Sequence, residues 1–262
     1  MWDLLKVHVK QGHRTSAYPN GPVDLPERFR GRPAIDASKC VDGCKACADA
    51  CPTGAIQSGM PPKLDLGKCL FCQECVAACP AKAIAYTRDH QMAARTREDL
   101  LVSSDEMKVV EALGEKSRKL FGRSLKLRQV AAGDCSGCAA ELQALNNVVF
   151  DLGRFGIQFV ASPRHADGLV ITGPVTDNMR LALQKTYEAV PAPKLVIAVG
   201  ACAISGGPFR DSPQVHNGAD AVLPVDLYIP GCPPHPFTIL DGLLRLLGRL
   251  ESGTREEAHQ KR

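Results

Sequence analysis

The chain has 262 residues, a formal net charge of +4, 45% hydrophobic and 23% charged residues, and only 5% aromatics. That length admits one large domain or two modest ones around a real apolar core. The slight basic bias without interleaved aromatics excludes a stacking platform for single-stranded nucleic acid, so no nucleic-acid partner is expected.

Residues 1–34 form an N-terminal segment. Trp2, Leu5 and Val9 trace a short amphipathic pattern suited to a partner or membrane surface, but Lys6, His8 and Lys10 interrupt it. An ordinary packed or frayed terminus is the expectation. The start has no signal-peptide or twin-arginine pattern, and no run approaches the roughly 20 apolar residues of a membrane span. A cytoplasmic setting, where thiols stay reduced and open to metal, is therefore expected.

Residues 35–90 hold eight of the twelve cysteines, from Cys40 to Cys79, in an internal repeat. Cys44, Cys47 and Cys51 recur 28 residues later as Cys72, Cys75 and Cys79. Each copy ends in Cys-Pro and a short apolar pair, Ala55-Ile56 and Ala83-Ile84. The spacing predicts a small α+β domain with two symmetric half-sites.

Residues 91–122 are rich in charge and predict a surface linker. Within it Asp105 to Leu113 has helical apolar spacing, with Ser103 and Ser104 as candidate N-caps.

Residues 123–250 alternate short apolar runs with helical patterns. Strands are expected at Leu125–Ala131, Ile157–Ala161, Gly168–Thr172, Lys194–Gly200 and Asp226–Ile229. Helices are expected at Ala139–Leu152, Asp177–Ala189 and Phe237–Leu250. This is the signature of an α/β fold, a flavodoxin-like doubly wound parallel sheet. The charged tail, residues 251–262, is expected to be unstructured.

The cysteine spacing names the chemistry. Cys69-x2-Cys72-x2-Cys75-x3-Cys79-Pro80 is the bacterial ferredoxin arrangement, in which the fourth cysteine ligates the neighbouring cluster. Cys69, Cys72, Cys75 and Cys51 are thus expected to hold one [4Fe–4S] cluster, and Cys40, Cys44, Cys47 and Cys79 the other. A zinc site would use two pairs rather than this repeated run of four. Cys40-x3-Cys44 has one residue too many, and Gly43 can absorb it at positive φ. In the back half Cys135, Cys138, Cys202 and Cys232 all follow strands, where open α/β sheets build their sites. They define a third [4Fe–4S] site.

Several segments then resemble one superfamily in order and spacing: Ser162-Pro163-Arg164-His165-Ala166-Asp167, Thr172-Gly173-Pro174-Val175-Thr176, Gly200-Ala201-Cys202 and Pro230-Gly231-Cys232-Pro233-Pro234. It comprises the small subunits of [NiFe] hydrogenases and the terminal-cluster subunit of respiratory complex I. Cys135-x2-Cys138 resembles the hydrogenase form, as does the stretch Ala203 to Phe209. The front half, with Phe29-Arg30-Gly31-Arg32-Pro33, resembles the two-cluster ferredoxin subunit of formate hydrogenlyase and energy-converting hydrogenases, here fused to the small subunit.

The resemblance implies electron transfer through three [4Fe–4S] clusters to a large subunit that carries nickel and iron, with the active site on that other chain. It also implies membrane subunits as partners, a ferredoxin or formate-dehydrogenase-type electron donor or acceptor, and a peripheral position on the cytoplasmic face of the inner membrane. Alternatives are a complex I-like quinone oxidoreductase, a nickel-free relative, and a free-standing ferredoxin/flavodoxin-like carrier. The last needs a phosphate loop, where Asp134-Cys135-Ser136-Gly137-Cys138 places an acid and two thiols.

Three other residues have candidate roles. Glu141 reads either as a proton relay or as a carboxylate complementing a helix dipole. Arg164 reads as a charge near a cluster or as a solvated loop arginine. His235 reads as a donor to a cluster sulfur or as a solvated loop histidine.

Overall fold

Helix α1 (Trp2–Gln11) leads the chain and buries none of its side chains; Trp2 is 77% and Val9 79% exposed. The N-terminus is thus a helix that is not packed, so of the expected packed or frayed terminus the packed form is not seen. The computed structural model describes residues 2–103, 107, 110, 112–122 and 124–250.

The front half comprises β1 (Pro33–Ile35), α2 (Ala46–Asp49), β2 (Ile56–Gln57), β3 (Lys63–Asp65), α3 (Glu74–Ala78), β4 (Ile84–Tyr86) and β5 (Leu101–Val102). β1 runs antiparallel to β4, with Pro33 opposite Tyr86. β3 lies between β2 and β5, antiparallel to both. The sequence repeat is visible here: each run of cysteines crosses a short helix and ends in a strand, α2 into β2 and α3 into β4.

Part of the stretch expected to be a surface linker is built into the fold. Met92, Ala93 and Ala94 are buried, and Ala94 exchanges backbone hydrogen bonds of 2.9 and 2.8 Å with Tyr228. Leu100 and Val102 are buried too. Apolar residues spaced through a charged segment draw it onto the core, because leaving each exposed forgoes about 1.5–3 kcal/mol of burial. Of the helix expected at 105–113, Met107, Val110, Ala112 and Leu113 are not helical; the remaining positions, with Ser104, lie outside the described residues. Helix α4 (Glu115–Phe121) begins just beyond. The tail 251–262 also lies outside the described residues.

The back half comprises β6 (Leu125–Ala131), α5 (Gly137–Ala144), β7 (Ile157–Phe159), β8 (Gly168–Thr172), α6 (Asp177–Ala189), β9 (Leu195–Val199), α7 (Ala201–Ser205), β10 (Leu227–Ile229) and α8 (Pro236–Leu246). All pairs are parallel, in the order β10-β9-β8-β6-β7. This is the flavodoxin-type doubly wound sheet. α5 ends at Ala144 rather than Leu152, because Asn147 Oδ1 accepts from the amides of Val149 (2.8 Å) and Phe150 (3.2 Å). A short polar side chain there offers the backbone an alternative to continuing the helix.

Successive residues of the central strands alternate between two cores. Val170, Ile197 and Val199 pack with Leu142 of α5 and Leu240 and Leu243 of α8. Leu169, Ile171, Val196 and Ala198 face Leu183 of α6 and Ile204, which α7 carries. The second core continues without a break into the front half through Leu64, Leu66, Leu100 and Val102.

Polar contacts reinforce that junction. Ser205 Oγ donates to the Gly67 carbonyl (2.8 Å). On the front-half side of the junction, Arg97 grips Asp65 with two parallel bonds of 3.0 and 2.9 Å. The two halves therefore share one core, which fixes the spacing of whatever each half holds.

Candidate metal centres

Two cavities in the front half divide its eight cysteines. The first is lined by Cys40, Cys44, Cys47 and Cys79, with Val41, Pro62, Ala81 and Ile84 among its walls. The second is lined by Cys51, Cys69, Cys72 and Cys75, with Thr53, Ile56, Leu64 and Tyr86. The last cysteine of each run thus crosses to the other cavity, as the spacing predicts.

Local backbone geometry produces this. α2 and α3 each present a cysteine in their first turns, Cys47 and Cys75. The residue before the second cysteine of each run is left-handed: Gly43 at φ +73° and Phe71 at φ +56°. Gly43 absorbs the extra residue of Cys40-x3-Cys44 in the way its freedom allows.

Backbone amides point at the sulfurs. Ala55 N–H donates to Cys51 Sγ (3.2 Å), its repeat partner Ala83 N–H to Cys79 Sγ (3.3 Å), and Phe71 N–H to Cys69 Sγ (3.3 Å). Such donors stabilise anionic sulfur ligands.

Four more thiols gather at the carboxyl edge of the sheet. Cys135 and Cys138 follow β6, Cys202 sits in α7 directly after β9, and Cys232 follows β10. Cys138 and Cys202 are buried, while Cys135 and Cys232 are exposed. Burial pushes Cys138 up to about 12, and the neighbouring Cys202, Cys232 and Cys135 thiols add to the rise. Burial likewise pushes Cys202 up to about 11, with Cys232 and Cys135 next in effect.

Gly200 keeps this group open. It stands at φ +91°, and a Cβ there would lie 2.4 Å from Cys138 Sγ. Asp134 borders the site and accepts a hydrogen bond from Thr172 (2.6 Å). Cys232 also feels Cys72 of the second cavity, so the third group adjoins the second.

The donor sets suit [4Fe–4S] clusters. Each set has four thiols, and the two cavities have mostly apolar walls and amides aimed at sulfur. Among the described residues no group of His, Cys, Asp or Glu converges closely enough to hold a single metal ion. A four-iron core spreads its thiolates further apart than tetrahedral zinc does. Burial raises the Cys69 thiol to about 11 as well, and thiol ligands release their protons when metal binds.

The other candidates fall differently. Glu141 lies past the first turn of α5, where a helix dipole has faded. It is half-buried, burial raises its carboxyl pKa, and it has no hydrogen-bond or ion-pair partner among the described residues. Arg164 is exposed on a 3-10 turn, Pro163–His165.

His235 forms no hydrogen bond to a sulfur and is not a solvated loop residue. It caps α8, its Nδ1 accepting from Phe237 N–H at 3.2 Å. Its ring stacks on Phe237 at 5.5 Å and meets Phe29 and Phe150 edge-on. Burial, assisted by His90, lowers its pKa from 6.5 to about 4. The unfolded chain therefore takes up this proton first, so the stability it contributes is complete above pH 6.5 and drains away towards pH 4. Between those values the thermal midpoint of the wild type is expected to fall further than that of His235→Asn, which caps without titrating. Parallel curves would refute this.

Sequence reasoning missed Tyr86, whose hydroxyl lies 3.5 Å from Cys69 Sγ. The available signal was an aromatic at the end of the second repeat, where the first copy has Ser58.

Comparison with known proteins agrees with this architecture. The family described as "NADH ubiquinone oxidoreductase, 20 Kd subunit" matches residues 135–246, and the "4Fe-4S dicluster domain" matches residues 39–83. The chain is 41% identical over 150 residues to "Probable membrane-bound hydrogenase subunit mbhJ" of Pyrococcus furiosus, covering 57% of this chain and 90% of the relative. It is 48% identical over 116 residues to an NADH-quinone oxidoreductase subunit of Heliobacterium modesticaldum, covering 44% and 66%. It is 47% identical over 133 residues to "Formate hydrogenlyase subunit 7" of Escherichia coli, covering 51% of this chain and about half, 52%, of the relative. With a dicluster 4Fe–4S domain preceding that flavodoxin-type sheet, the chain belongs to the family of the 20 kDa subunit of NADH:ubiquinone oxidoreductase.

Proposed function

We propose that this chain is the electron-transfer subunit of a membrane-associated [NiFe] hydrogenase, carrying three [4Fe–4S] clusters between a redox partner and the large subunit. Its ligands are Cys40, Cys44, Cys47 and Cys79; Cys51, Cys69, Cys72 and Cys75; and Cys135, Cys138, Cys202 and Cys232. The observation that carries the reading is the gathering of the twelve thiols into three groups of four, with Cys232 of the third close to Cys72 of the second.

Such clusters, when bound, accept and release single electrons. The chain's own residues anchor them, space them through one shared core, and exclude water with walls such as Val41, Ile84 and Leu64. The partners are a hydrogenase-type large subunit, membrane subunits, and a ferredoxin or formate-dehydrogenase-type donor or acceptor. Among the described residues no helix is long and apolar enough to cross a membrane, which suits a subunit held on the cytoplasmic membrane face by its partners. Exposed Cys135 and Cys232 put the third group at the surface, where a large subunit would receive electrons. Glu141, half-buried and free of a partner nearby, is the proton-relay candidate on that side.

Quinone reduction of the complex I kind is the second reading. It rests on the 48% identity over 116 residues to the NADH-quinone oxidoreductase relative, which stands beside 47% over 133 residues to the formate hydrogenlyase subunit and 41% over 150 residues to the membrane-bound hydrogenase subunit. The complex purified without oxygen separates them. Hydrogen-dependent dye reduction, with about 12 Fe on this chain, is expected. Quinone reduction without any hydrogen-dependent activity would overturn the hydrogenase reading, and about 8 Fe would remove the third cluster.

A further inference from the structure

The 28-residue repeat makes the two front cavities near-twins, so their differences stand out. Ala55 and Ala83 are repeat partners and do the same job, each amide donating to the crossing cysteine, Cys51 or Cys79. Thr53 lines the second cavity, and its partner Ala81 lines the first. Tyr86 lines the second cavity, and its partner Ser58 is exposed and lines neither. The second cavity therefore has two side-chain hydroxyls where the first has none.

Only one of those hydroxyls has a proton to give. Thr53 Oγ1 lies 3.8 Å from Cys51 Sγ, but it donates to the Lys68 carbonyl at 2.8 Å. The Tyr86 hydroxyl lies 3.5 Å from Cys69 Sγ, with Cys75 also in reach and no backbone carbonyl among the described residues competing for it. Pairing of β4 with β1 sets the Tyr86 backbone against Pro33, and its ring packs on Phe71 at 6.0 Å. A tyrosine hydroxyl is protonated near neutral pH, and against a metal-bound thiolate, which carries no proton, it can act only as donor.

Hydrogen bonds to ligand sulfur favour the more negative, reduced form of a cluster and raise its potential. Backbone amides reach sulfurs in both cavities, Cys69, Cys51 and Cys75 in the second and Cys79 and Cys47 in the first, but among the described residues only the second adds a side-chain hydroxyl, from Tyr86 to Cys69.

We propose that Tyr86 is a tuning residue: its hydroxyl, donating to Cys69 Sγ, sets the potential of the second-cavity cluster above that of its pseudo-symmetric twin. The electron then rests preferentially on the middle cluster, beside the third thiol group, rather than on the outer one. This rests on the three-cluster reading, and wild-type iron content and cluster spectra test that reading separately.

The test is an EPR-monitored redox titration of the intact complex, comparing wild type with Tyr86→Phe, which removes one oxygen. One front-half signal should shift to lower potential while the others stay put and the iron content is unchanged. An unmoved midpoint, or an equal shift of every cluster, overturns the proposal. Should Tyr86→Phe lose iron, 3-fluorotyrosine at position 86 keeps the ring and strengthens the donor. The same midpoint should then shift upward, and no shift overturns the proposal. Opposite shifts from the two replacements are not what a purely packing role would produce.

Discussion

Replacing Cys202 with alanine is expected to remove about 4 of about 12 Fe from the chain while sparing the two front-half clusters. It should also reduce hydrogen-dependent dye reduction by the complex to background. Cys202 is the most informative of the third group because it sits inside the fold. It occupies α7, whose five residues are all buried, and Ser205 of the same helix is tied to the front half through Gly67.

Alanine preserves the helix and fills most of the same apolar space, so the sheet should stay intact. What is lost is a thiolate, and three ligands no longer match four iron corners. Iron analysis and EPR of the purified complex check this. Retention of about 12 Fe with full activity would show that the third cluster, if there is one, does not depend on Cys202. A variant with two intact front-half signals and no third signal would also show that the back half folds without its cluster.

The legible and illegible parts of this molecule divide on physical lines. The five parallel strands were readable because strands buried on both faces are nearly continuous apolar runs, as in Leu195–Val199 and Gly168–Thr172. The pairing of cysteines across the repeat was readable because ligand spacing is a local constraint. Helix ends were less so: Asn147 stops α5 through side-chain bonds that apolar periodicity does not report. The stretch around Met92–Ala94 reads as linker by charge, and its place beside β10 depends on Tyr228, far along the chain.

The surroundings of His235 were equally hidden, since Phe29, Phe150 and Phe237 come from three separate segments. Tyr86 acts on Cys69 only because β4 folds back beside the second cavity. The choice between hydrogen and quinone depends largely on residues of another chain, so one sequence constrains it only through motifs such as Cys135-x2-Cys138.

The largest expected effect on stability lies in the last helix of the α/β half. Asp241 of α8 is almost wholly buried and accepts from two sides, from the Tyr18 hydroxyl at 2.8 Å and from Arg245 Nε at 2.9 Å. Tyr18 belongs to the segment between α1 and β1, and Arg154 holds that segment too, donating to the carbonyls of Ser16 and Tyr18, each at 2.8 Å. One carboxylate therefore joins the N-terminal segment to the last helix of the α/β half.

Asp241→Ala removes the carboxylate that accepts from both Tyr18 and Arg245 and breaks a buried ion pair, an expected loss of about 3–5 kcal/mol. For a chain of this size that lowers the thermal midpoint by roughly 10 °C. Tyr18→Phe removes one hydrogen bond to a charged acceptor and should cost less, about 1.5–3 kcal/mol. Asp241→Asn keeps an acceptor but loses the charge and should fall between them. Thermal unfolding of the three variants gives the order, and iron content should be the same in all. If Tyr18→Phe were as damaging as Asp241→Ala, the tyrosine contact rather than the ion pair would be what secures the N-terminal segment.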